Sequence, residues 1–269
     1  MDSYRAAADR PEDEPVIERL RRSRLSQLRR SGTIQSGPAK GCRFSAPAGS
    51  AQTYLTGSYE PPLAAALARL VQPGSVCADL GAHIGYFTVL LGHLTGSEGR
   101  VHAFEPIAEN AASIRRNVKL NRMKDRVTVH QAALASSVGR LPIFSARTGG
   151  SSEWTLSSEF AEREDVESDV EHPQRSIETT TLEGALGADK VDLMKIDIEG
   201  AESEVLPAMF DLLMEQRPLL VLEFHREVGW PGVEALIQAN YSFTELDNTP
   251  CPTPTGPAAV PYQLIAWPQ

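Results

Sequence analysis

In the run "DLMKIDIEGAESEVL", residues 192 to 206, apolar Leu193, Met194, Ile196 and Ile198 are threaded with Lys195, Asp197 and Glu199, then closed by Gly200 and Glu202. Ionised side chains are costly to take out of water, so charge inside a core-like run needs partners or a task. If the run is a strand, the period of two puts Lys195, Asp197 and Glu199 on one face. A second set, Glu223 and His225, lies in "LVLEFHRE". Two chemistries fit these residue types. A histidine titrates near neutrality and suits proton removal, which makes His225 the candidate general base, with Lys195, Asp197 and Glu199 lining a cleft. Alternatively Asp197, Glu199, Glu223 and His225 form an oxygen-rich divalent-metal site with one imidazole. No short-range ligand motif supports the metal, and none is expected. The bland alternative ties a strand to its helices through Lys195 and Glu202.

Such groups need elements that bring them together. "VCADLGA", "GRVHAFEP", "RVTVHQAAL", "VDLMKIDIEG", "RPLLVLEFH", "YSFTELD" and "YQLIAWP" read as strands. "PPLAAALARLVQ", "GYFTVLLGHLTG", "AENAASIRRNVKLNR", "AESEVLPAMFDLLMEQ" and "PGVEALIQAN" read as helices between them. Strands alternating with helices predict an α/β fold with a parallel sheet covered on both faces. Ligands in such sheets bind beyond the carboxyl ends of the strands, so strand-end residues form the functional shortlist.

The first strand ends in "DLGAHIGYF", where Gly81 and Gly85 allow a sharp turn and close backbone approach. The helix that follows offers its N-terminal amides. G-x-G-x-x-G is missing, which disfavours NAD chemistry, and so is the phosphate loop G-x-x-x-x-G-K-[ST]. The second strand ends at Glu105, a carboxylate able to accept two ribose hydroxyls, followed by Pro106.

Composition bounds the partners. The 269 residues are 41% hydrophobic and 23% charged, with a formal net charge of -9, which argues against a protein built to coat nucleic acid. Three cysteines, Cys42, Cys77 and Cys251, share no metal spacing and read as reduced thiols of a cytoplasmic protein. No apolar run of membrane length and no secretory leader are evident. Residues 1–50 read as an arm, partly helical or disordered, with the arginine-rich "ERLRRSRLSQLRR". Residues 51–269 form the main domain. A polar stretch at 145–175 is too long for an ordinary connection and is expected to be a lid or substrate loop, with Trp154 and Phe160 as contacts. Its second half, with Glu162, Glu164, Asp165, Glu167, Asp169 and Glu171, reads equally as a disordered acidic surface loop; an acidic lid would disfavour a polyanionic acceptor.

In order, "DLGAHIGYFT", "VHAFEP", "GGSSEW", "ETTTLEGAL" and above all "LMKIDIEGAESEVL" make the chain similar to the FkbM family of S-adenosylmethionine-dependent O-methyltransferases. The last run is very close to the family's K-x-D-[VI]-E-G-x-E. The resemblance implies a Rossmann-like class I methyltransferase fold: a mostly parallel seven-stranded sheet, helices on both faces, an antiparallel last strand. It implies S-adenosyl-L-methionine as cofactor, held by Asp79, Gly81, Ala82, His83, Gly85, Tyr86, Glu105, Pro106, Gln131, Ala132 and Asp197. His83 departs from the Asn usual there. The implied acceptor is a hydroxylated small molecule such as a macrolide or sugar. A homo-oligomer is compatible with the sequence; no nucleic-acid or membrane partner is expected. The rivals are a nucleic-acid methyltransferase on the same fold and a non-catalytic binding module.

Overall fold

Two asparagines on one helix tie the start of the chain to the rest. The computed structural model describes residues 28–142, 144–148, 151–155, 176–224, 230–257 and 262–269. Strands β1 (Arg29–Thr33) and β2 (Arg43–Pro47) form an antiparallel hairpin. The β2 backbone is completed by the helix that spans Ala108–Leu120 and by the residue that caps it. Asn117, fully buried, accepts from the Ser45 N–H at 2.9 Å and donates to the Ser45 and Ile84 carbonyls. Asn121 brackets Arg43 in the same way. Buried backbone groups need such partners. Phe44, 0% exposed, joins the main core through this hairpin, so packed structure begins before residue 51. Of the arginine-rich stretch, only Leu28, Arg29 and Arg30 are described, and the last two begin β1; the remainder lies outside the described residues.

Helices α1 (Ala51–Thr56) and α2 (Pro61–Leu70) follow, the second opened by prolines that need no N–H partner in a first turn. Then come β3 (Val76–Leu80), α3 (Tyr86–Leu94), β4 (Arg100–Phe104), α4 (Ala108–Leu120) and β5 (Val127–His130). Short strands β6 (Ala133–Leu134), β7 (Gly139–Pro142), β8 (Phe144–Thr148), β9 (Ser151–Thr155) and β10 (Ser176–Thr180) are next. Helix α5 (Leu182–Leu186), β11 (Leu193–Ile196), α6 (Glu202–Ala208), α7 (Phe210–Gln216) and β12 (Leu219–Glu223) complete the core crossovers. The chain ends with α8 (Trp230–Gln238), β13 (Tyr241–Thr244), β14 (Pro250–Cys251) and β15 (Gln263–Pro268).

The main sheet has the order β14-β13-β15-β12-β11-β3-β4-β5. Strands β12, β11, β3, β4 and β5 are parallel, and β15 runs against both of its neighbours. The expected seven strands with an antiparallel last one are present, and the two-residue β14 adds an eighth at the edge, where a proline costs no ladder bond. From β3 the chain moves outward to β5 and then returns to β11 on the other side of β3. That reversal is a topological switch point, and it opens a crevice at the carboxyl ends of β3 and β11. Side chains alternate across the sheet: Cys77 packs with α2 and α3, Ala78 and Leu80 with α6 and α8.

Three local expectations change. The single strand expected over "RVTVHQAAL" breaks at Gln131–Ala132, and β6 joins β10 and β7 in a separate small sheet. The single helix expected over "AESEVLPAMFDLLMEQ" breaks at Met209, just after Pro207, whose ring removes a helical N–H and crowds the turn before it. Within 145–175 the backbones of β8 and β9 pair as a hairpin. Nothing is described of the Trp154 side chain, and Phe160 and the acidic residues from Glu162 to Glu171 lie outside the described residues. Among the described residues no helix is long and apolar enough to cross a membrane.

Candidate active site

The register of the two central strands sets the site: Lys195 on β11 lies opposite Asp79 on β3. Both point to the face that holds α3, and Lys195 passes over the Phe87 ring with 5.6 Å from Nζ to centroid. Its ammonium sits 3.1 Å from Asp197 Oδ2 and 3.8 Å from Asp79 Oδ1, and donates to the Gly81 carbonyl at 3.2 Å. Lys195 is 3% exposed and Asp79 0%. Burial works against the Lys195 ammonium, but the Asp197 and Asp79 carboxylates outweigh it and hold its pKa above the usual lysine value. Burial raises Asp79, with Lys195 and the Thr88 hydroxyl, which donates at 2.6 Å, pulling the other way. The triad ties the two strand ends together beneath the turn.

The glycine turn sits directly on this triad. Gly81 (φ 78°), His83 (φ 50°) and Gly85 (φ 89°) all adopt the left-handed region. A Cβ on Gly81 would stand 1.7 Å from the Asp197 carbonyl oxygen, so only glycine fits beside that backbone. The N–H groups of Gly81 and Ala82 donate to the Phe104 carbonyl, and Gly85 closes onto Ala82. Histidine, asparagine and aspartate are enriched in left-handed backbone, which accounts for His83 where the similar family usually carries Asn. Tyr86 and Phe87 follow, buried at the start of α3.

Glu105 stands 5% exposed beyond β4. Its carboxylate accepts from the backbone N–H of His83 at 2.9 Å and of Ile107 at 2.8 Å, and from Asn110 Nδ2 at 3.4 Å. Burial is the larger influence and lifts its pKa to about 7 against those three donors. A carboxylate offers about four lone-pair sites, so a diol can still be accepted. Pro106 is half-buried at the strand's exit. Beyond β5, Gln131 is exposed and accepts from Arg115 at 3.2 Å, with half-buried Ala132 beside it.

One assignment shifts. Strand β11 stops at Ile196, and Glu199 (φ 53°) with Gly200 (φ 93°) forms a turn, so Glu199 leaves the alternation expected to align it with Lys195 and Asp197. Glu202, fully buried, turns back to accept the Ile198 N–H at 3.1 Å. His225 lies outside the described residues. Glu223 at the end of β12 accepts from the Tyr262 hydroxyl and from Gln263 Nε2 at 2.7 Å. Asp197 and Glu199 both lie within electrostatic reach of Tyr262. Among the described residues no group of three or more His, Cys, Asp or Glu could hold a metal ion.

Sequence reading did not single out Tyr54, Tyr59, Glu60, Thr88 and Tyr262; "PPLAAALARLVQ" beside them reads simply as a helix. Tyr59, Gly81, His83, Phe87, Lys195 and Asp197 help line a cleft of about 20 Å³.

The strand order and the strand-end glycine turn define a Rossmann-like class I methyltransferase fold. The methyltransferase FkbM domain matches residues 79–246, and the chain belongs to this family of S-adenosylmethionine-dependent methyltransferases. Among similar proteins, 31-O-demethyl-FK506 methyltransferase FkbM of Streptomyces tacrolimicus is 26% identical over 196 residues, 65% of this chain and 74% of that one. Methyltransferase sdnD of Sordaria araneosa is 28% identical over 183 residues, 60% of this chain and 70% of that one. The crystal structure of methyltransferase FkbM from Methylobacillus flagellatus KT aligns with a TM-score of 0.48 at 19% identity, covering 72% of this chain. This chain spans only 43% of that one.

Proposed function

We propose that the protein transfers a methyl group from S-adenosylmethionine to a hydroxyl of a small organic molecule of the macrolide or sugar class. The observation that carries this is the convergence, at one switch point, of the glycine turn, the Glu105 carboxylate and the Lys195–Asp197 pair. In support, a similar protein's name assigns it methylation of an FK506 derivative. The bound cofactor supplies an electrophilic methyl on a sulfonium. The protein's part is placement, which alone lowers such a barrier substantially. The turn from Gly81 to Tyr86 holds the cofactor's amino-acid end over the buried Asp79. Glu105, with Pro106 behind it, accepts the ribose hydroxyls, and Gln131 and Ala132 border the far end. Lys195 fixes Asp197 at the transfer point, with Glu199 on the adjoining turn, and no metal takes part. The sequence nominates His225 to remove the acceptor's proton.

The test is transfer of labelled methyl from S-adenosylmethionine into a panel of macrolides and sugars, with and without a chelator. Label should appear as an ether on one small molecule, undiminished by chelation; label recovered only in RNA would overturn the reading.

Glu105 gives a pH signature. Its folded pKa of about 7 lies above the unfolded value of 4.5, so its contribution to stability declines as pH rises between the two. Hydroxyl donors require the ionised form, so cofactor affinity moves the opposite way and strengthens between about pH 6 and 8. Glu105→Gln should weaken S-adenosylmethionine binding about 10- to 100-fold, the equivalent of roughly 1.5–3 kcal/mol for hydrogen bonds to a charged group, and flatten that dependence. Calorimetric titrations at several pH values check both effects.

A further inference from the structure

Glu60 precedes α2 with φ 40° and ψ 63°, the left-handed region, which a glutamate rarely occupies. Its carbonyl begins the helix by accepting the Ala64 N–H, yet its side chain makes no capping hydrogen bond to the helix it precedes. Pro61 and Pro62 lock the chain beyond it. Oε2 is buried and has no hydrogen-bond partner among the described residues. A carboxylate at a helix start normally turns back on the exposed amides. This one is held in strained backbone and aimed elsewhere, and strain of that kind is characteristic of functional positions.

Its neighbours say where it is aimed. The charged groups that act on it are Lys195 and Asp197 at the end of β11 and Glu223 at the end of β12. Glu105 and Asp79, on the strands that carry the proposed ribose carboxylate and the glycine turn, are not among the largest influences on it. Tyr59, which lines the cleft, places its hydroxyl against the Glu60 carboxylate, and Tyr54 also lies within its field. Glu60 therefore stands on the acceptor half of the crevice.

Given the hydroxyl-methylating reading above, on which this rests, we infer that Glu60 contacts the acceptor hydroxyl and takes its proton during transfer, in place of His225. The acceptor O–H bond breaks and its proton passes to the Glu60 carboxylate. The oxygen bonds to the methyl carbon as the C–S bond breaks, and that electron pair stays on sulfur. Burial first, then the carboxylates of Glu223 and Asp197, push Glu60 above the ordinary carboxyl range, against the Tyr59 hydroxyl and Lys195. A base nearer the working pH is the more effective one.

The experiment compares full-length wild type, Glu60→Gln, Glu60→Asp and His225→Gln, using S-adenosylmethionine and whichever panel compound the wild type labels. Glu60→Gln should lower kcat about 100-fold or more, the span of general-base catalysis, with S-adenosylmethionine affinity unchanged by calorimetry. The acidic limb of the kcat profile should vanish in Glu60→Gln and persist in His225→Gln. Glu60→Asp, which keeps a carboxylate, should recover part of the rate and retain the limb; should Glu60→Gln fail to fold, that limb carries the test. Wild-type turnover by Glu60→Gln, a loss confined to cofactor affinity, an Asp variant without the limb, or disappearance of the limb in His225→Gln would each overturn the assignment. A wild type that labels no hydroxyl defeats the proposed function and this inference together, whereas an active Glu60→Gln defeats the inference alone.

Discussion

Gly81→Ala is expected to cost at least about 4 kcal/mol, in the range reserved for severe local clashes, and to abolish S-adenosylmethionine binding. The added Cβ would stand 1.7 Å from the Asp197 carbonyl oxygen and 2.8 Å from its carbon, both backbone atoms, so no side-chain rotation relieves it. Either β3 and β11 separate or the turn reshapes, and each outcome displaces the Gly81 carbonyl that Lys195 grips. Gly74 is the matched control. It too is left-handed (φ 86°), but a Cβ there meets nothing within 4 Å, so Gly74→Ala should cost only the backbone term, about 1–3 kcal/mol. Urea melts of both variants with calorimetric titration of the cofactor make the comparison. Equal losses at the two glycines would show that the approach of the Asp197 backbone does not govern the turn.

Lys195→Met has the second large effect. Methionine nearly matches the length of the lysine stem but withdraws the Lys195 charge from fully buried Asp79 and from Asp197. Removing one partner of a buried ion pair costs about 3–5 kcal/mol, because the remaining charge stays desolvated. The sign with pH follows from Asp79. Burial already raises its folded pKa above the unfolded value, and loss of Lys195 raises it further. The folded variant therefore binds protons more readily than the unfolded chain, and its deficit grows as pH rises and shrinks in acid. Adding Asp79→Asn should return much of the lost stability, since the two side chains are directly coupled. Denaturant midpoints across pH for the single and double variants test this; a deficit that does not change with pH would argue that Lys195 acts by packing on Phe87 alone.

Much of the candidate site was legible because it is written at strand ends. Period-two spacing aligned Lys195 with Asp197, and both reach one face. The glycine turn and Glu105 followed from the rule that parallel sheets bind beyond their carboxyl edge. Glu199 misled the reading because alternation holds only while the strand continues, and β11 ends at Ile196. The arginine-rich arm misled it too: helical spacing of leucines gave no sign that Arg29 and Arg30 would begin a strand, which depends on Asn117 and Asn121 of a distant helix accepting that hairpin.

From its own residues the chain determined the alternation of strands and helices, the acidic and glycine-rich strand ends, and the family it belongs to, since each depends on near neighbours and side-chain periodicity. Tertiary structure alone decided that Gly81 must touch the Asp197 backbone, that Glu223 meets Tyr262 and Gln263 across the β12–β15 register, and that Glu60 comes within the field of Lys195, Asp197 and Glu223. Those contacts join segments far apart in the chain, and local pattern records which face a residue takes but not which distant residue will stand opposite it.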